Sequence, residues 1–480
     1  MKKLTGLILI LAVLILGGYY GMGFLTERTI KRNIAVINQT NGLLAQVEHY
    51  DRGWFSSHAD IKWRLHVAER IVTDDNGNTQ TIAAQDHELI TPITICHGPV
   101  IYCHHTLKFG MGYAESTIAL PEQYYKQFDE QFASDSIKPQ FDISIFINYW
   151  LKSTIELAIP EFKLVGKDGS GTVTWEGFKT SMNLSNSKEQ MDGQIVINGI
   201  NFFKDNIKAE LDKVTAHYNM HEAKNGLYLG RVHFELPAFT VMEKTETLLG
   251  VKKLTLVSDS DIDDNLFHTQ FTLAVDSVLA DKKTYGPGEF EIALRNLDAD
   301  VLAQINQQSN QMQNGTDEER QQAMIAMLPE LPKLFNKGAE LEIKKCQFKF
   351  PEGLVDGNLL LTIPKNDSAN PFELMQKVQG HAQLKAPIVL IKQLLQQSIL
   401  QQLSKQPEMQ QALMQQLNTA NTPALTNQQL AVMQAEKQVN TMLQKGLLVA
   451  SGTDYVIELS LLQGQLTING HSFDPSMLMF

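Results

Sequence analysis

Five side chains that commonly bind metals lie close together near residue 100. They are Cys96, His97, Cys103, His104 and His105. Zinc sites usually pair their ligands two to four residues apart, and the wider separation of these two cysteines does not follow that pattern. If residues 101–107 form a strand, Cys103 and His105 share one face and His104 points away. We therefore predict a hairpin with surface histidines, and no metal site.

The two cysteines of this group could instead form a disulfide bond. Cys96 and Cys103 flank a Gly98-Pro99 turn, and a hairpin there would bring their Cα atoms within the roughly 7 Å that a disulfide requires. An oxidising compartment would permit the bond. We predict a Cys96–Cys103 disulfide, with Cys346 left as a small buried residue.

Two acidic groups have structural explanations. Asp261, Asp263 and Asp264 resemble part of a calcium loop but lack its glycine and terminal glutamate, which favours an exposed turn. Asp298 and Asp300 stand at the start of a predicted helix, where carboxylates favour the helix dipole.

No sequence motif of a known enzyme class occurs, such as a nucleophile elbow, a phosphate-binding loop or a zinc-protease helix. We predict a protein that is not an enzyme, with no catalytic residue and no cofactor. A hydrolase or metal enzyme built around His97, His104 and His105 is the least favoured alternative.

The segment Arg52-Gly53-Trp54-Phe55 combines a residue that permits a tight bend with two aromatic side chains. We interpret it as a hairpin corner wedged into the core. In the alternative interpretation, Arg52, Trp54 and Phe55 form a contact surface for a partner or a lipid.

The elements that position these residues are mainly strands. Apolar and polar residues alternate over long stretches, for example 59–67, 228–236, 267–275 and 455–461. This period is typical of half-buried strands, and the turn-forming clusters between them favour antiparallel pairing. The predicted class is α+β, mostly β: an extended antiparallel β scaffold with helical insertions, and with no marked domain boundary.

The helical insertions are expected near 297–337 and 386–445. In the second, Thr426 and Gln429 form a capping-box pattern, and Gly446 suits the position after the helix end. Met433 and Met442 lie in this Gln- and Met-rich region and are a second candidate contact surface, since methionine provides an adaptable apolar surface.

The N-terminus has the strongest local signal. Residues 4–25 carry no charge, and as a helix they would span about 33 Å, enough for a hydrocarbon core near 30 Å. We favour an uncleaved signal-anchor transmembrane helix over a cleaved secretory signal, because no small-residue cleavage site follows and no cysteine is available for lipoprotein processing.

Orientation and charge give the remaining expectations. Positive charges lie on both sides of the segment, so they do not decide its direction. We place residues 1–3 in the cytoplasm and 26–480 outside it, because long domains translocate largely regardless of such charges. The net charge of −12 argues against a nucleic-acid binder.

Several short motifs occur in an order that resembles the YdgA-like family of bacterial envelope proteins of unknown function. After the anchor come Tyr50–Ser57 and His97-Gly98-Pro99. Thr174–Phe178, Leu294–Asp298 and Leu466–Gly470 follow. The resemblance implies an inner-membrane protein with its bulk in the periplasm of a Gram-negative bacterium, with a homodimer left open. It brings no catalytic residues.

These expectations lead to two functional hypotheses. The first is a non-enzymatic, membrane-anchored envelope protein that acts as a scaffold or handles a lipid ligand on a curved apolar sheet, by analogy with AsmA-like proteins. The second is an adaptor or adhesion-related protein that uses its Gln- and Met-rich helices. A continuous apolar concavity would favour the first, and a fully packed interior with exposed methionines the second.

Overall fold

The structure is a computed structural model of the 480-residue chain. It describes residues 2–38, 43–67, 70–73, 79–82, 85–103, 106–120, 122–169, 171–185, 190–314, 324–325, 327, 329–366, 370–405 and 426–473. The chain divides into two compact units, Met1–Gly230 and Arg231–Phe480. The boundary falls inside the strand Tyr228–Glu243. Its alternating pattern continues across the boundary, so the sequence offers no signal for the division.

Unit 1 begins with a long helix, α1, Lys2–Ile37. Its side chains are described from Val13 onward, so residues 4–12 of the predicted anchor lie outside the described side chains. Residues 13–18 are exposed, and from Tyr19 onward one face of the helix is covered. Among the residues that the structure describes, no helix is long and apolar enough to cross a membrane.

The strands of unit 1 are β1 Leu43–Arg52, β2 Ser56–Val67, β3 Arg70–Thr73, β4 Thr79–Ile82, β5 Gln85–His97, β6 Ile101–Cys103, β7 Thr106–Lys108, β8 Gly112–Ala119, β9 Gln140–Ile147, β10 Ser153–Ile159, β11 Phe162–Val165, β12 Thr172–Trp175, β13 Phe178–Leu184, β14 Gln190–Ile197, β15 Ile200–Lys204, β16 Ile207–Leu211 and β17 Val214–Glu222. A short helix, α2, covers Tyr125–Gln131. Antiparallel pairing runs in the order β1, β2, β5, β8, β9, β10, β13, β14, β17. The strands β11, β12, β15 and β16 pair in that order.

The core of unit 1 forms where the second half of α1 lies on this sheet. Ile30 and Ile34 belong to one buried cluster with inward side chains of seven strands, among them Ile61, Ile95 and Ile147. Burying a side chain of this size contributes about 1.5–3 kcal/mol relative to leaving it in water. The helix is therefore an integral part of the fold of unit 1.

The long strand β18, Tyr228–Glu243, crosses the boundary between the units. The further strands are β19 Glu246–Asp263, β20 Leu266–Ala280, β21 Lys283–Tyr285, β22 Gly288–Asp298, β23 Glu340–Phe350, β24 Gly353–Thr362, β25 Gln379–Pro387, β26 Val449–Ser451, β27 Asp454–Leu462, β28 Gln465–Ile468 and β29 His471–Ser472. Antiparallel pairing runs in the order β19, β20, β22, β23, β24, β25, β27, β28. The expectation of a mostly β chain with a large antiparallel sheet and a few helices is confirmed.

The helices of unit 2 fall in and between the predicted regions. They are α3 Ala299–Asn314, α4 Glu330–Phe335, α5 Pro371–Lys377, α6 Ile388–Lys405 and α7 Asn427–Gln444. The second helix expected from Asp317 begins in residues outside the described ones. Thr426 and Gln429 form the capping box at the start of α7, and Gly446 has the positive φ of 69° that suits a residue just past a helix end.

Cys96 and Cys103 are joined by a disulfide with a Cα–Cα distance of 6.0 Å. It links the end of β5 to the end of β6 across the Gly98-Pro99 turn. Cys346, in β23, is a free thiol, and it is half-buried rather than buried as predicted.

We predict that thiol labelling of the denatured, non-reduced protein modifies Cys346 alone. Reduction before labelling should raise the number of modified cysteines to all three, which intact-mass spectrometry would count. Labelling of every cysteine without a reductant would contradict the disulfide.

Candidate functional site

The first group of candidate residues lies at the helix junction, which we define as α1 from Tyr19 to Ile37 with the strand ends that it contacts. Two glycines allow the close approach. A Cβ on Gly98 would lie 2.0 Å from the Tyr19 ring, and one on Gly23 would lie 2.6 Å from the His97 ring. The Tyr19 hydroxyl donates to the Val100 carbonyl at 3.0 Å. The His97-Gly98-Pro99 turn therefore packs closely against α1.

Arg52 connects the corner between β1 and β2 to the same helix. Its guanidinium donates to the Glu27 carboxylate at 3.1 Å and to the Tyr20 hydroxyl at 3.3 Å. It also lies over the rings of Tyr20 and Phe24, at 4.9 Å and 5.3 Å from their centroids. Arginine suits this position because its planar cation can pair with a carboxylate and stack on aromatic rings at once.

Trp54 and Phe55 lie against α1 and not inside the core. Their rings contact those of Tyr20 and Tyr19, with centroid distances of 5.2 Å and 5.0 Å. Trp54 is 56% exposed and Phe55 is 55% exposed. The interpretation of a corner wedged into the core is wrong in this respect, because the core beneath is already filled by the helix and the sheet.

His97 is buried beside Ser57, with its Nε2 atom 3.1 Å from the serine hydroxyl. Burial lowers the pKa of His97 by disfavouring the charged imidazolium. A serine and a histidine at this distance resemble part of a hydrolytic site. Both side chains are at most 1% exposed under α1, however, so a substrate cannot reach them.

The other groups of ligand-type residues show ordinary structural roles. Asp263 and Asp264 lie at the turn between β19 and β20, and the Asp298 carboxylate accepts the amides of Asp300 and Val301 as a helix cap. His104 and His105 lie outside the described residues. Across the part of the chain that the structure describes, no three His, Cys, Asp or Glu side chains gather in a geometry suited to a metal ion.

Unit 2 contains a feature that single-strand patterns do not reveal. Cross-strand pairing aligns apolar side chains into rows on one side of the sheet, which we call the apolar face. One row consists of Leu256, Leu273, Phe290, Cys346, Gly357, Leu384 and Ile457. The next consists of Phe271, Ile292, Ile343, Leu359, Ala382, Leu459 and Ile468. A third consists of Leu294, Leu341, Leu361, Gly380, Leu461 and Leu466.

The opposite side of the same sheet is polar and carries ion pairs. Arg295 pairs with Glu342 at 2.6 Å, and Lys345 pairs with Glu289 at 2.6 Å. A bulge in β23 between Ile343 and Cys346 keeps both of these residues on the apolar face. The sheet therefore separates an apolar surface from a polar one.

The helices that the structure describes cover only the ends of the apolar face. The helices α3 and α4 pack on a cluster that includes Leu297 and Leu294, and α6 and α7 pack on one that includes Tyr455 and Ile457. Between them most apolar side chains are half-buried, and Leu384 is 41% exposed. A cavity of about 230 Å³ lies there, lined mainly by Ile343, Cys346, Leu359, Ala382, Leu384, Ile457 and Leu459.

The two candidate methionines lie in different surroundings. Met433 is 44% exposed on α7, whereas Met442 packs against the cluster of Val439, Leu448 and Tyr455. The structure does not bring them into one surface, because nine residues make about two and a half turns of helix and place the two side chains on opposite sides of α7.

The burial of His97 has a consequence for stability. A histidine whose folded-state pKa is depressed binds its proton more readily in the unfolded chain, so it opposes folding as the pH falls below about 6.5. We predict that the melting temperature drops between about pH 7.5 and pH 5, and that His97→Asn flattens this dependence. The exposed neighbour His58 provides the matched control, His58→Asn, which should keep the wild-type slope. Parallel curves for His97→Asn and the wild type would refute the assignment.

Comparisons with known proteins place the whole chain in one family. No curated protein gives a significant match. The model of a family described as bacterial protein of unknown function (DUF945) matches residues 1–476, which is nearly the full sequence. The chain therefore belongs to the DUF945 family of bacterial proteins of unknown function.

Proposed function

We propose that the protein is a non-enzymatic, membrane-anchored envelope protein whose second unit holds lipid acyl chains on its apolar face. The observation that carries this proposal is the half-buried apolar surface across eight strands, β19, β20, β22 to β25, β27 and β28, which the helices leave open at its centre. Soluble proteins rarely leave a continuous apolar surface of this kind open, and where they do it commonly binds a ligand or a partner.

An acyl chain matches the chemistry of this surface. The rows offer aliphatic and aromatic side chains, and the polar groups of the sheet point to its other side. Each methylene removed from water contributes about 0.8 kcal/mol. A segment of about six methylenes would gain roughly 5 kcal/mol before the cost of ordering the ligand is subtracted.

The anchor is the second part of the proposal. Residues 4–25 are uncharged and belong to the helix α1, whose residues 13–18 are exposed although four of the six are large and apolar and the other two are glycine. A helix that leaves such residues uncovered requires another apolar environment, which a bilayer supplies. We infer the inner membrane as the site of anchoring, residues 26–480 in the periplasm and a YdgA-like identity within the family; a homodimer is compatible with this arrangement.

The absence of an enzymatic role is also part of the proposal. The pair that most resembles a reactive site, Ser57 and His97, is enclosed beneath α1. A nucleophile must reach its substrate, so this pair serves the packing of the helix junction.

An adaptor function is the second candidate, and it is favoured by the exposed apolar side chains on the helices of unit 2. Val389 is 55%, Leu394 51% and Met433 44% exposed. These positions would suit a protein partner, since exposed methionine and leucine on a helix adapt to varied apolar surfaces. The open apolar face makes lipid binding the first choice.

We predict that Leu384→Gln reduces the amount of lipid that co-purifies with the full-length protein extracted from its own membranes. Leu384 is 41% exposed on the apolar face, so glutamine is tolerated there while the surface becomes polar. Native mass spectrometry would measure the bound lipid, and thermal unfolding would verify that the fold is intact.

The chain offers a matched control on the neighbouring strand. Leu360 is 40% exposed on the opposite, polar side of the sheet, so Leu360→Gln should leave the bound lipid unchanged. Equal losses in both variants, or a wild-type protein free of lipid, would exclude the lipid-holding role. An added mass that corresponds to a second protein would favour the adaptor.

A further inference from the structure

A set of exposed aromatic and aliphatic side chains lies on α1 and on three further segments of unit 1, 52–55, 98–111 and 148–152. We call it the aromatic collar. Its members are Tyr20, Phe24, Trp54, Phe55, Val100, Tyr102, Leu107, Phe109, Tyr149 and Trp150, with exposures from 42% for Tyr20 to 75% for Trp150. Two of the four tryptophans of the chain belong to it. Large apolar side chains at this density on one surface indicate a contact with an apolar or interfacial medium.

Contacts to two residues of the helix place part of the collar, the corner after β1 and the loop after β5, beside Tyr19 and Tyr20 of α1. Trp54 packs on Tyr20, and Phe55 packs on Tyr19. The loop after β5 reaches the same level through Tyr19 and Val100. Tyr149 joins it by donating a hydrogen bond to the Pro99 carbonyl.

The charge of the collar is opposite to that of the chain. Its three segments outside α1, 52–55, 98–111 and 148–152, contain Lys108, Lys152 and Arg52, which pairs with Glu27 of the helix, but no aspartate or glutamate. The chain as a whole has a net charge of −12. Basic side chains combined with exposed tryptophan and tyrosine are typical of surfaces at the level of anionic lipid headgroups.

The length of the uncovered helix makes a contact with the bilayer necessary if α1 is the anchor. Among the side chains of α1 that the structure describes, which begin at Val13, Tyr19 is the first that is covered, and the uncharged segment before it is residues 4–18. These fifteen residues span about 22 Å as a helix, which is shorter than a hydrocarbon core of about 30 Å. Of the residues that complete the span, Tyr19, Met22, Gly23 and Leu25 already contact unit 1, and Tyr20 and Phe24 are exposed members of the collar. The free part of the helix is therefore shorter than the hydrocarbon core, and the collar has to lie in the membrane interface.

We propose that the aromatic collar inserts into the headgroup region of the membrane and seats unit 1 directly on the bilayer surface. This inference rests on the proposed anchoring by α1. It adds that the folded unit itself contacts lipid, at a defined surface, with the side chains of Trp54 and Trp150 at the interface. The Arg52–Glu27 pair and the Tyr20 ring beneath hold the corner of the collar against the helix.

The test uses the full-length protein in vesicles of phosphatidylethanolamine and phosphatidylglycerol. In parallel samples the lipid carries bromine either next to the headgroup or near the end of the acyl chain, and bromine quenches tryptophan fluorescence on contact. We expect strong quenching by the shallow bromine and weak quenching by the deep one. Most of the shallow quenching should be lost in the double variant Trp54→Phe, Trp150→Phe, since the other two tryptophans lie in the sheet of unit 1.

Trp175 in β12 supplies the matched control, because Trp175→Phe should leave the quenching unchanged. Flotation of the vesicles on a density gradient separates the two proposals. A protein that floats with the vesicles while Trp54 and Trp150 are not quenched overturns the collar and leaves the anchor standing. A protein that does not float overturns the anchor, and the collar with it.

A second copy of the chain on the collar would give a different result. Trp54 and Trp150 would then be shielded from a water-soluble quencher in detergent, in proportion to protein concentration, and would stay insensitive to brominated lipid. That outcome would show that the collar contacts a second copy of the chain and not the bilayer, and it would overturn the inference.

Discussion

An amphipathic antiparallel sheet must cover its apolar side, and the two units of this protein meet that requirement differently. In unit 1 the second half of α1 lies on the sheet, and Ile30 and Ile34 fill the space between its strands. In unit 2 the helices protect only the ends of the apolar face. Both candidate sites follow from this constraint, because one is formed where a helix covers a sheet and the other where cover is missing.

At the helix junction, the aromatic corner and the glycine turn act together. Gly98 and Gly23 permit contact distances that any side chain would prevent. Arg52 then joins the corner to the helix through Glu27 and Tyr20. A cation held between a carboxylate and the rings of Tyr20 and Phe24 is specific in its geometry. Trp54 and Phe55 follow in the chain and pack on the same helix at Tyr20 and Tyr19.

Sequence patterns predicted the strands, the class of the fold and the capping box of α7, because each depends on neighbours along the chain. The apolar face was not predictable in the same way. Its rows depend on register, which places Leu384 beside Gly357 and Ile457 although these residues are far apart in sequence. The bulge in β23 shifts the alternation by one residue, so a strict period of two would assign Ile343 and Cys346 to opposite faces.

The collar was missed for a related reason. Tyr102 lies in β6, Phe109 follows β7 and Trp150 lies in the turn between β9 and β10, and an isolated exposed aromatic residue is common in a soluble protein. Arg52, Trp54 and Phe55 were identified because they adjoin a glycine in one short segment. That Trp54, Phe55 and Val100 all lie beside the same turn of α1 is evident only from their contacts with Tyr19 and Tyr20.

The openness of the apolar face bears on what kind of lipid handling it would support. A closed cavity removes an acyl chain from water on every side and recovers the full transfer free energy of about 0.8 kcal/mol per methylene. A sheet face that is open at its centre covers the chain on one side and recovers only part of that energy. Affinity is then limited and dissociation is correspondingly fast, since differences in affinity appear mostly in the rate of release. Under the proposed function, this geometry suits a protein that takes up lipid and gives it back, in preference to one that stores it.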